Sequence, residues 1–579
     1  MSGAALLPYP VVVPLGGALL SLLGARFSRQ AALVIGTAAM AATLGVLIAI
    51  ATDVYPGGGR AMTYFFSNEH PHGGHSLGIA FTADPFGVTY ALLVAALGLV
   101  LLVFVHSELG HLGKRELGAM ACLIQFLLAA LIAAGLTADL VNLFVWFEVA
   151  ALSSYGLTGF FLERPIALEA AFKNLVLTST AGFLVFIGAG VLYRETGALN
   201  LGQLHDVMPA TPTRATLLAI AVLVSGYATK AGLMPFHGWL PDAHSPVPGA
   251  VSALFSALMV GLGIVALARV SLDVFSGLSQ IRVLLTVLGV VSALAGALLA
   301  LVQDDLKRLL AWDTVSQMGI IIIGLANRTA DGVAGAIGHL VNHGLFKALL
   351  FLAAGAVVHA TGYTSIHDLG GLARRRPVLT IAFTVASLAI AGVWPLNGYF
   401  SLGLIHSGLE DEPVVLAAAV AAQIVTVAAL ARATYIVFYR RRTEPYEHLE
   451  RLRPGMVGAF IALALGCIAL GAAAIPLFNG GLAPAAAVLL HPHHYAAAAL
   501  GTSTSIGSAD VSVPFIDPVE LLVMLAELAA GLALAVWTIR TDRVARALRW
   551  LRRVHTGVVN DYAAMAAAGI AITAVILLS

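Results

Sequence analysis

Cysteine is nearly absent from this 579-residue chain, and charge is scarce. Its two cysteines, Cys122 and Cys467, lie far apart in different apolar stretches, with no CxxC and no thiolate cluster. That excludes cysteine-ligated iron–sulfur centres and structural zinc. Charged residues make up 11% of the chain, against about 25% in soluble domains. A net charge of +1 leaves no bulk electrostatic case for nucleic acid. The N-terminus lacks both a basic leader and a clean cleavage site, so residues 4–24 read as a retained first helix rather than a signal peptide.

What is there is apolar. Hydrophobic residues make up 59%, mean hydropathy is +0.93, and runs long enough to cross a bilayer recur along the whole length. Roughly sixteen spans are expected, with no soluble domain left over. Basic residues cluster after six of the odd-numbered spans, so on one side if the spans alternate: Arg26 and Arg29, Lys114 and Arg115, Lys307 and Arg308, Arg374–Arg376, Arg440–Arg442, and the run from Arg540 to Arg553. By the positive-inside rule that side is cytoplasmic, in an inner (plasma) membrane, and both termini face out. The last run suits a short basic amphipathic helix at 540–556, lying on the leaflet or on a partner, or a plain topogenic cluster. Two loops on the other side are histidine-rich, with His70, His72 and His75 in one and His491, His493 and His494 in the other. Without accompanying carboxylates or cysteines they read as flexible solvated loops rather than a metal site, and the Ala/Gly/Ser-rich stretch 479–513 reads as mobile.

Ionisable residues inside spans are functional by default, because a central charge costs roughly 2.5–3.5 kcal/mol on insertion scales. Glu148 sits within the fifth span, with Lys173 near the start of the sixth as a partner or as an interfacial snorkel. Lys230 lies in SGYATKAGLMPFHGWLPDAHSPVPGA, where a helix breaks up around Pro235, Pro241, Pro246 and Pro248. Loose backbone at that depth survives only when buried in protein or facing a water-filled cavity. Burial and a nearby carboxylate pull a lysine's proton affinity in opposite directions, so it serves as a switchable proton carrier where arginine would stay charged. His339, His343 and Lys347 recur every four residues and form one stripe on a helix. They suit proton relay or structural hydrogen bonding, and no HExxH or nearby acid supports a metal. Lys307 reads as an interfacial anchor, Asp313 lies deeper, and Glu527 stands alone in the fifteenth span, with contact to another chain as its reading.

A second interrupted span carries Gly392, Pro395 and Gly398, five spans after the first break. Paired broken helices mark repeated transporter halves with sites near the midplane, and an odd number of spans per repeat makes the halves inverted.

KAGLMPFHGWLPDAHSPVPGAVSAL, LKRLLAWDTVSQMG and HLVNHGLFKALLFLAAGAV closely resemble the antiporter-like subunits of complex I, membrane-bound hydrogenases and Mrp-type cation/proton antiporters, over about residues 80–440. The resemblance implies an all-α polytopic membrane protein: a core of about 14 helices with two inverted five-helix repeats and broken helices, here with about two extra C-terminal helices. It implies N-terminal helices at 1–110, repeats at 111–272 and 273–440, and C-terminal helices at 441–579. It implies proton passage through Glu148, Lys230, His339, His343 and Lys347, supported by Lys173, Lys307, Asp313 and His406, with Pro235, Pro241 and Pro395 at broken-helix hinges. Two departures stand out. The eighth helix has Gly261 and Phe255 where such proteins carry a lysine or histidine, so the group linking the halves is expected to be missing. The twelfth has Leu402 in place of a lysine or glutamate, so one exit is expected to be lost unless His406 or Asp313 replaces it. The function implied is that of a proton-translocating subunit of a multisubunit complex, first the D-like subunit of an Mrp-type Na+(K+)/H+ antiporter, next a NADH-quinone oxidoreductase or hydrogenase pumping subunit. A non-conducting scaffold and a stand-alone solute transporter are the readings from other classes. No cofactor, metal or catalytic redox site is expected in this chain, and redox chemistry would belong to partner subunits.

Overall fold

Capping side chains set where the apolar runs begin. Asp84 accepts hydrogen bonds from the N–H groups of Phe86 and Gly87, both at 2.9 Å. Asp139 accepts from Asn142 N–H at 2.8 Å, Thr213 from Thr216 N–H at 3.1 Å, and Asp305 from Arg308 N–H at 2.9 Å. Thr329 and Asp517 do the same for later helices. Each satisfies donors that a helix N-terminus leaves free.

The computed structural model of the protein describes residues 3–66, 78–442, 446, 449–541, 547, 550 and 556–579. The helices are α1 (Tyr9–Gly24), α2 (Arg29–Val54), α3 (Pro85–Glu108), α4 (Lys114–Leu136), α5 (Leu140–Thr158), α6 (Pro165–Thr196), α7 (Leu201–Val207), α8 (Arg214–Ala231), α9 (Trp239–His244), α10 (Gly249–Val274), α11 (Ser279–Leu301), α12 (Leu306–Asn327) and α13 (Ala330–Thr361). They continue with α14 (Pro377–Ile390), α15 (Asn397–Gly408), α16 (Pro413–Tyr439), α17 (Pro454–Ala472), α18 (Ala474–Leu490), α19 (Pro492–Ala499), α20 (Pro518–Arg540) and α21 (Val559–Leu578). Among the described residues 14 helices are long and apolar enough to cross a membrane. The roughly sixteen spans expected also counted the interrupted stretches through α8–α9 and α14–α15, whose helices fall outside these 14. A short hairpin pairs β1 (Met62–Phe65) antiparallel with β2 (Ala80–Ala83), Met62 opposite Ala83. The all-α expectation missed it, because four-residue strands are too short to display an alternating period.

Burial sorts the helices. The apolar windows of α10 and α12 are 100% buried, so these helices meet no lipid, whereas those of α20 and α21 are only 28% and 22% buried and lie at the periphery. Small residues bring the inner helices together. A Cβ added at Gly263 of α10 would stand 2.2 Å from Ala231 N of α8, and one at Gly319 of α12 would stand 2.4 Å from Ala293 N of α11.

The basic loops gather at one end of the bundle and bond to one another. Arg29 donates to Gly110 O at 2.6 Å, Lys114 to Arg26 O at 2.9 Å, Arg453 to Ser107 O at 3.0 Å, and Arg440 to Leu369 O at 2.7 Å. The hairpin lies at the opposite end. There α18 and α19, bent 88° apart, fold over the bundle. Thr63 donates to Ala498 O at 2.7 Å and Ala61 N–H to Thr504 O at 2.8 Å. Stretch 479–513 is therefore packed rather than mobile: its alanines form helices, and their small side chains let these sit on the helices below. His493 and His494 are likewise held, His493 by His205 at 3.1 Å and His494 by Ile506 O at 2.6 Å. His70, His72 and His75, and most of the 540–556 segment, lie outside the described residues.

Both breaks read Gly-x-x-Pro: Gly232 to Pro235 and Gly392 to Pro395, each glycine with φ near +70° and each proline in a cis peptide. The helix before the first break descends from the hairpin end and that before the second rises from the basic end, so the two halves are inverted in the bundle. Backbone groups freed at the breaks are satisfied by neighbouring side chains, as burial requires. Ser292 of α11 accepts from Met234 N–H at 2.9 Å, and Trp239 donates to Thr229 O at 2.6 Å. At the second break Gln423 of α16 donates to Ile390 O at 2.7 Å, and Asn342 of α13 to Asn397 O at 2.8 Å. Pro241 sits inside α9 and not at a break.

Candidate functional site

Lys230 occupies the last turn of α8, immediately before the left-handed Gly232. Its Nζ is wholly buried, has no hydrogen-bond partner, and lies 4.8 Å from the centroid of the Phe147 ring. A desolvated ammonium over an aromatic face gains about 2 kcal/mol or more. Glu148 follows Phe147 on α5, and its Oε1 is also buried without a partner. The two charges act on each other but form no direct pair. Glu148 lies in a notch made by Gly182 of α6, where an added Cβ would stand 1.6 Å from Oε1. The expected acid and amine thus share one region of the bundle without touching.

Lys173 is not Glu148's partner. It pairs with Glu169 at 2.6 Å and Asp242 at 3.1 Å, one acid a turn away on its own helix and the other on the short helix α9. Asp242 also pairs with Arg308 at 3.3 Å and accepts from Tyr562 at 3.3 Å, tying α6, α9, α12 and α21 together near the basic end. Lys307 is buried rather than interfacial, donating to Val247 O at 2.5 Å. Beside it Glu108 caps α10, accepting from Gly249 N–H at 2.7 Å and Ala250 N–H at 3.0 Å.

The second half is built on α12 and α13. Lys347 pairs with Asp313 at 2.5 Å and donates to Leu310 O at 3.0 Å, while Thr426 of α16 donates to the other Asp313 oxygen at 3.2 Å. Asp313 is therefore central, not auxiliary. His339 is held at both ring nitrogens, by Ser401 at 2.9 Å and Gln317 at 2.8 Å. His343, between them on the same stripe, is wholly buried with neither ring nitrogen bonded.

Between the halves, Gly261 packs against Tyr90 and Phe255 against the ring of His244. His244 itself fills the gap that the eighth helix leaves. It comes from the break between α8 and α10, is wholly buried with neither ring nitrogen bonded, and stacks 4.6 Å from Phe351, one turn beyond Lys347. The charges of Lys307 and Lys347 both reach it. The expectation that no ionisable group lies between the halves is thus corrected: the group arrives from the short helix α9 and not from α10. Leu402 packs in an apolar cluster with Ala293 and Ile320, and His406, one turn on, pairs with Glu520 of α20 at 3.1 Å. Glu527 is buried two turns along α20 against this chain.

Reasoning from the sequence missed His244, Asp242, Glu108 and Glu520. The first two stand in the same broken stretch as Lys230, and the interruption that singled out the lysine singled them out as well. Among the described residues no group of three His, Cys, Asp or Glu side chains is arranged to hold a metal.

Comparison with known proteins agrees with this arrangement. Residues 137–426 match the family model described as NADH:quinone oxidoreductase/Mrp antiporter, transmembrane. The chain is similar to NADH-quinone oxidoreductase subunit N of Desulforudis audaxviator, 31% identical over 81% of this chain and 94% of that protein. It is similar to the D subunit of the Na(+)/H(+) antiporter of Alkalihalophilus pseudofirmus, 31% identical over 83% of this chain and 96% of that protein. Its fold is similar to a component of the Mrp complex from Dietzia sp., with a TM-score of 0.78 at 25% identity, covering 86% of this chain and 100% of that one.

Proposed function

Because the chain belongs to the NADH:quinone oxidoreductase/Mrp antiporter family, we propose that this antiporter-like membrane subunit carries protons within a multisubunit complex. The complex is an Mrp-type Na+(K+)/H+ antiporter, with this protein as its D-like subunit. The observation that carries the reading is the set of ionisable groups inside the bundle: Glu148, half-buried with Oε1 enclosed, and the wholly buried Lys230, His244, Lys347 and His343. Atoms at Glu148, Lys230, His244 and His343 in that set have no protein partner. Buried polar atoms without partners cost free energy unless water reaches them, and a water-linked file of proton-binding groups is a proton path.

The step at the first half is a charge change. With Glu148 ionised, Lys230 keeps its proton on the Phe147 face. When Glu148 is neutralised, Lys230 loses its counter-charge and releases the proton towards His244. His244 passes it on to His343, beside a Lys347 whose charge Asp313 balances. The halves at 111–272 and 273–440 contribute Lys230 and Lys347 to this exchange, the two lysines with no exposed surface. The basic end faces the cytoplasm, the termini face out, and the membrane is the cell's plasma membrane. Other membrane subunits complete the assembly and supply any redox chemistry, with no cofactor in this chain.

The test is cation-driven proton movement in vesicles holding the chain with its neighbouring subunits. Adding Na+ or K+ is expected to dissipate a preset pH gradient, and Glu148→Gln, Lys230→Ala and His244→Phe to abolish the response. Coupled transport unchanged in Glu148→Gln and Lys230→Ala would sink the reading and leave a non-conducting scaffold. The 31% likeness to subunit N keeps a NADH-quinone oxidoreductase role as the second reading. Proton movement driven only by NADH oxidation in co-purified complexes would favour it.

A further inference from the structure

The acid nearest the end of the second half is not on a core helix. Glu520 lies in the first turn of α20, the first of the two peripheral C-terminal helices, and points inward at His406. The fit is built on both sides. Gly403 of α15 leaves the space that Glu520 fills, since a Cβ there would stand 2.9 Å from Glu520 Cγ. Further along, Gly531 of α20 fits against Val427 of α16, where a Cβ would stand 2.5 Å from Val427 Cγ1. The buried stripe of α20 runs Glu520, Met524, Glu527, Gly531, Ala535, so both acids lie on the face turned to the core. Glu527 Oε1 is buried and unbonded. On its outer side Glu520 borders a small cleft that also involves Tyr399, Asp517 and the exposed Ser407 and Ser512.

We propose that Glu520 and His406 form the proton exit of the second half at the hairpin end, with Glu527 as a buried acid behind them. The inference rests on the proton-carrying reading above. His339 and His406 are linked through α15: Ser401 bonds His339 at 2.9 Å, and the charge of His406 reaches His339. The imidazolium of His406 gives its Nδ1 proton to Glu520 Oε2 across 3.1 Å. The neutral carboxyl then releases that proton to water in the cleft and returns to carboxylate, and the imidazole, left with its proton on Nε2, turns over so that the bare Nδ1 faces inward and takes the next proton there. Leu402 leaves the core helix without an ionisable group at its usual place, and a helix outside the repeats supplies one instead.

Groups facing His406 are Glu520 and Glu527 from α20 and His339 from α13. Asp331 lies beyond Ser407 at 2.9 Å, and Asp517, whose backbone carbonyl accepts from the Tyr399 hydroxyl at 3.1 Å, caps α20. The test uses the assembled complex in proteoliposomes. Glu520→Gln is expected to slow proton transport at least about tenfold, in the range of a lost general acid–base group, and to shift the pH profile of the rate. Glu520→Asp should restore most of the rate. Both should leave assembly and melting temperature unchanged, which separates proton transfer from helix docking. If Glu520→Gln does not assemble, Gly403→Ala, which crowds the acid without removing it, carries the same expected slowing and shift. A wild-type rate and profile for Glu520→Gln, with transport abolished by Glu148→Gln, would overturn the exit and leave the proposed function intact. A wild-type complex that moves no protons would overturn both.

Discussion

The notch at Gly182 makes the position of Glu148 testable without touching the acid. Replacing Gly182 by alanine puts a methyl group 1.6 Å from the Glu148 Oε1 position. Ordinary contact begins near 3.4 Å, so the carboxylate must retreat by about 1.8 Å. Misplacing a reacting group by about 1 Å can cost on the order of a hundredfold, and that loss is expected in proton transport. The fold should not suffer, because alanine is favoured over glycine inside a helix by roughly 0.5–1 kcal/mol. Gly190 of the same helix is the control, with nothing within 4 Å of its added Cβ. Dissipation of a pH gradient in proteoliposomes, read by a pH-sensitive dye, compares the two. Gly182→Ala should lose transport and Gly190→Ala should not. Adding Glu148→Asp to Gly182→Ala shortens the side chain by one methylene and should recover part of the rate. Transport by Gly182→Ala within twofold of wild type would refute the idea that the seat of this carboxylate matters.

The buried Lys347–Asp313 pair gives a second expectation. Removing one partner, as in Asp313→Asn, leaves an uncompensated charge and should destabilise by about 3–5 kcal/mol, read as a fall in melting temperature in detergent. Lys347→Met with Asp313→Leu should recover stability but not transport. Asp139 gives a third. Burial raises its carboxyl pKa to about 6 against the help of Asn142 N–H. A group raised in the folded state contributes stability below its unfolded pKa of about 3.9 and loses it as pH rises through the folded value. Asp139→Asn keeps the cap and should therefore be more stable than wild type at pH 8 and no more stable at pH 4. An equal difference at both pH values would contradict the assignment.

Much of the fold was legible because a bilayer restricts the choices. Apolar length fixed the crossings, and arginines after six of the odd-numbered ones fixed their sense. Lys230 among prolines was conspicuous because both features are costly at that depth. What could not be read was who meets whom. Lys173 was free to pair with Glu148 or Asp242, and only the seating of α9 against α6 decides it. His244 was visible but ends the six-residue helix α9, too short a run for its period to say which way a ring points. Glu520 stood at the start of a peripheral span, where an acid reads as a capping or surface residue. Gly403 and Val427, on two other helices, decide that it turns inward. The hairpin and the packed alanine helices over it escaped for a related reason: composition reports propensity, and these stretches are ordered by what lies beneath them.

The two C-terminal helices bear on the breaks in turn. α20 sets Glu520 against α15, and Phe515 just before it lies 5.8 Å from Trp394, next to Pro395. α21 sets Tyr562 against Asp242 and Gly569 against Pro235 and Phe236. One continuous tail thus yokes the two interrupted crossings. A shift of α20 or α21 therefore bears directly on the break that it packs against. Both helices are largely unburied, so whatever holds them from outside holds both interrupted crossings at once.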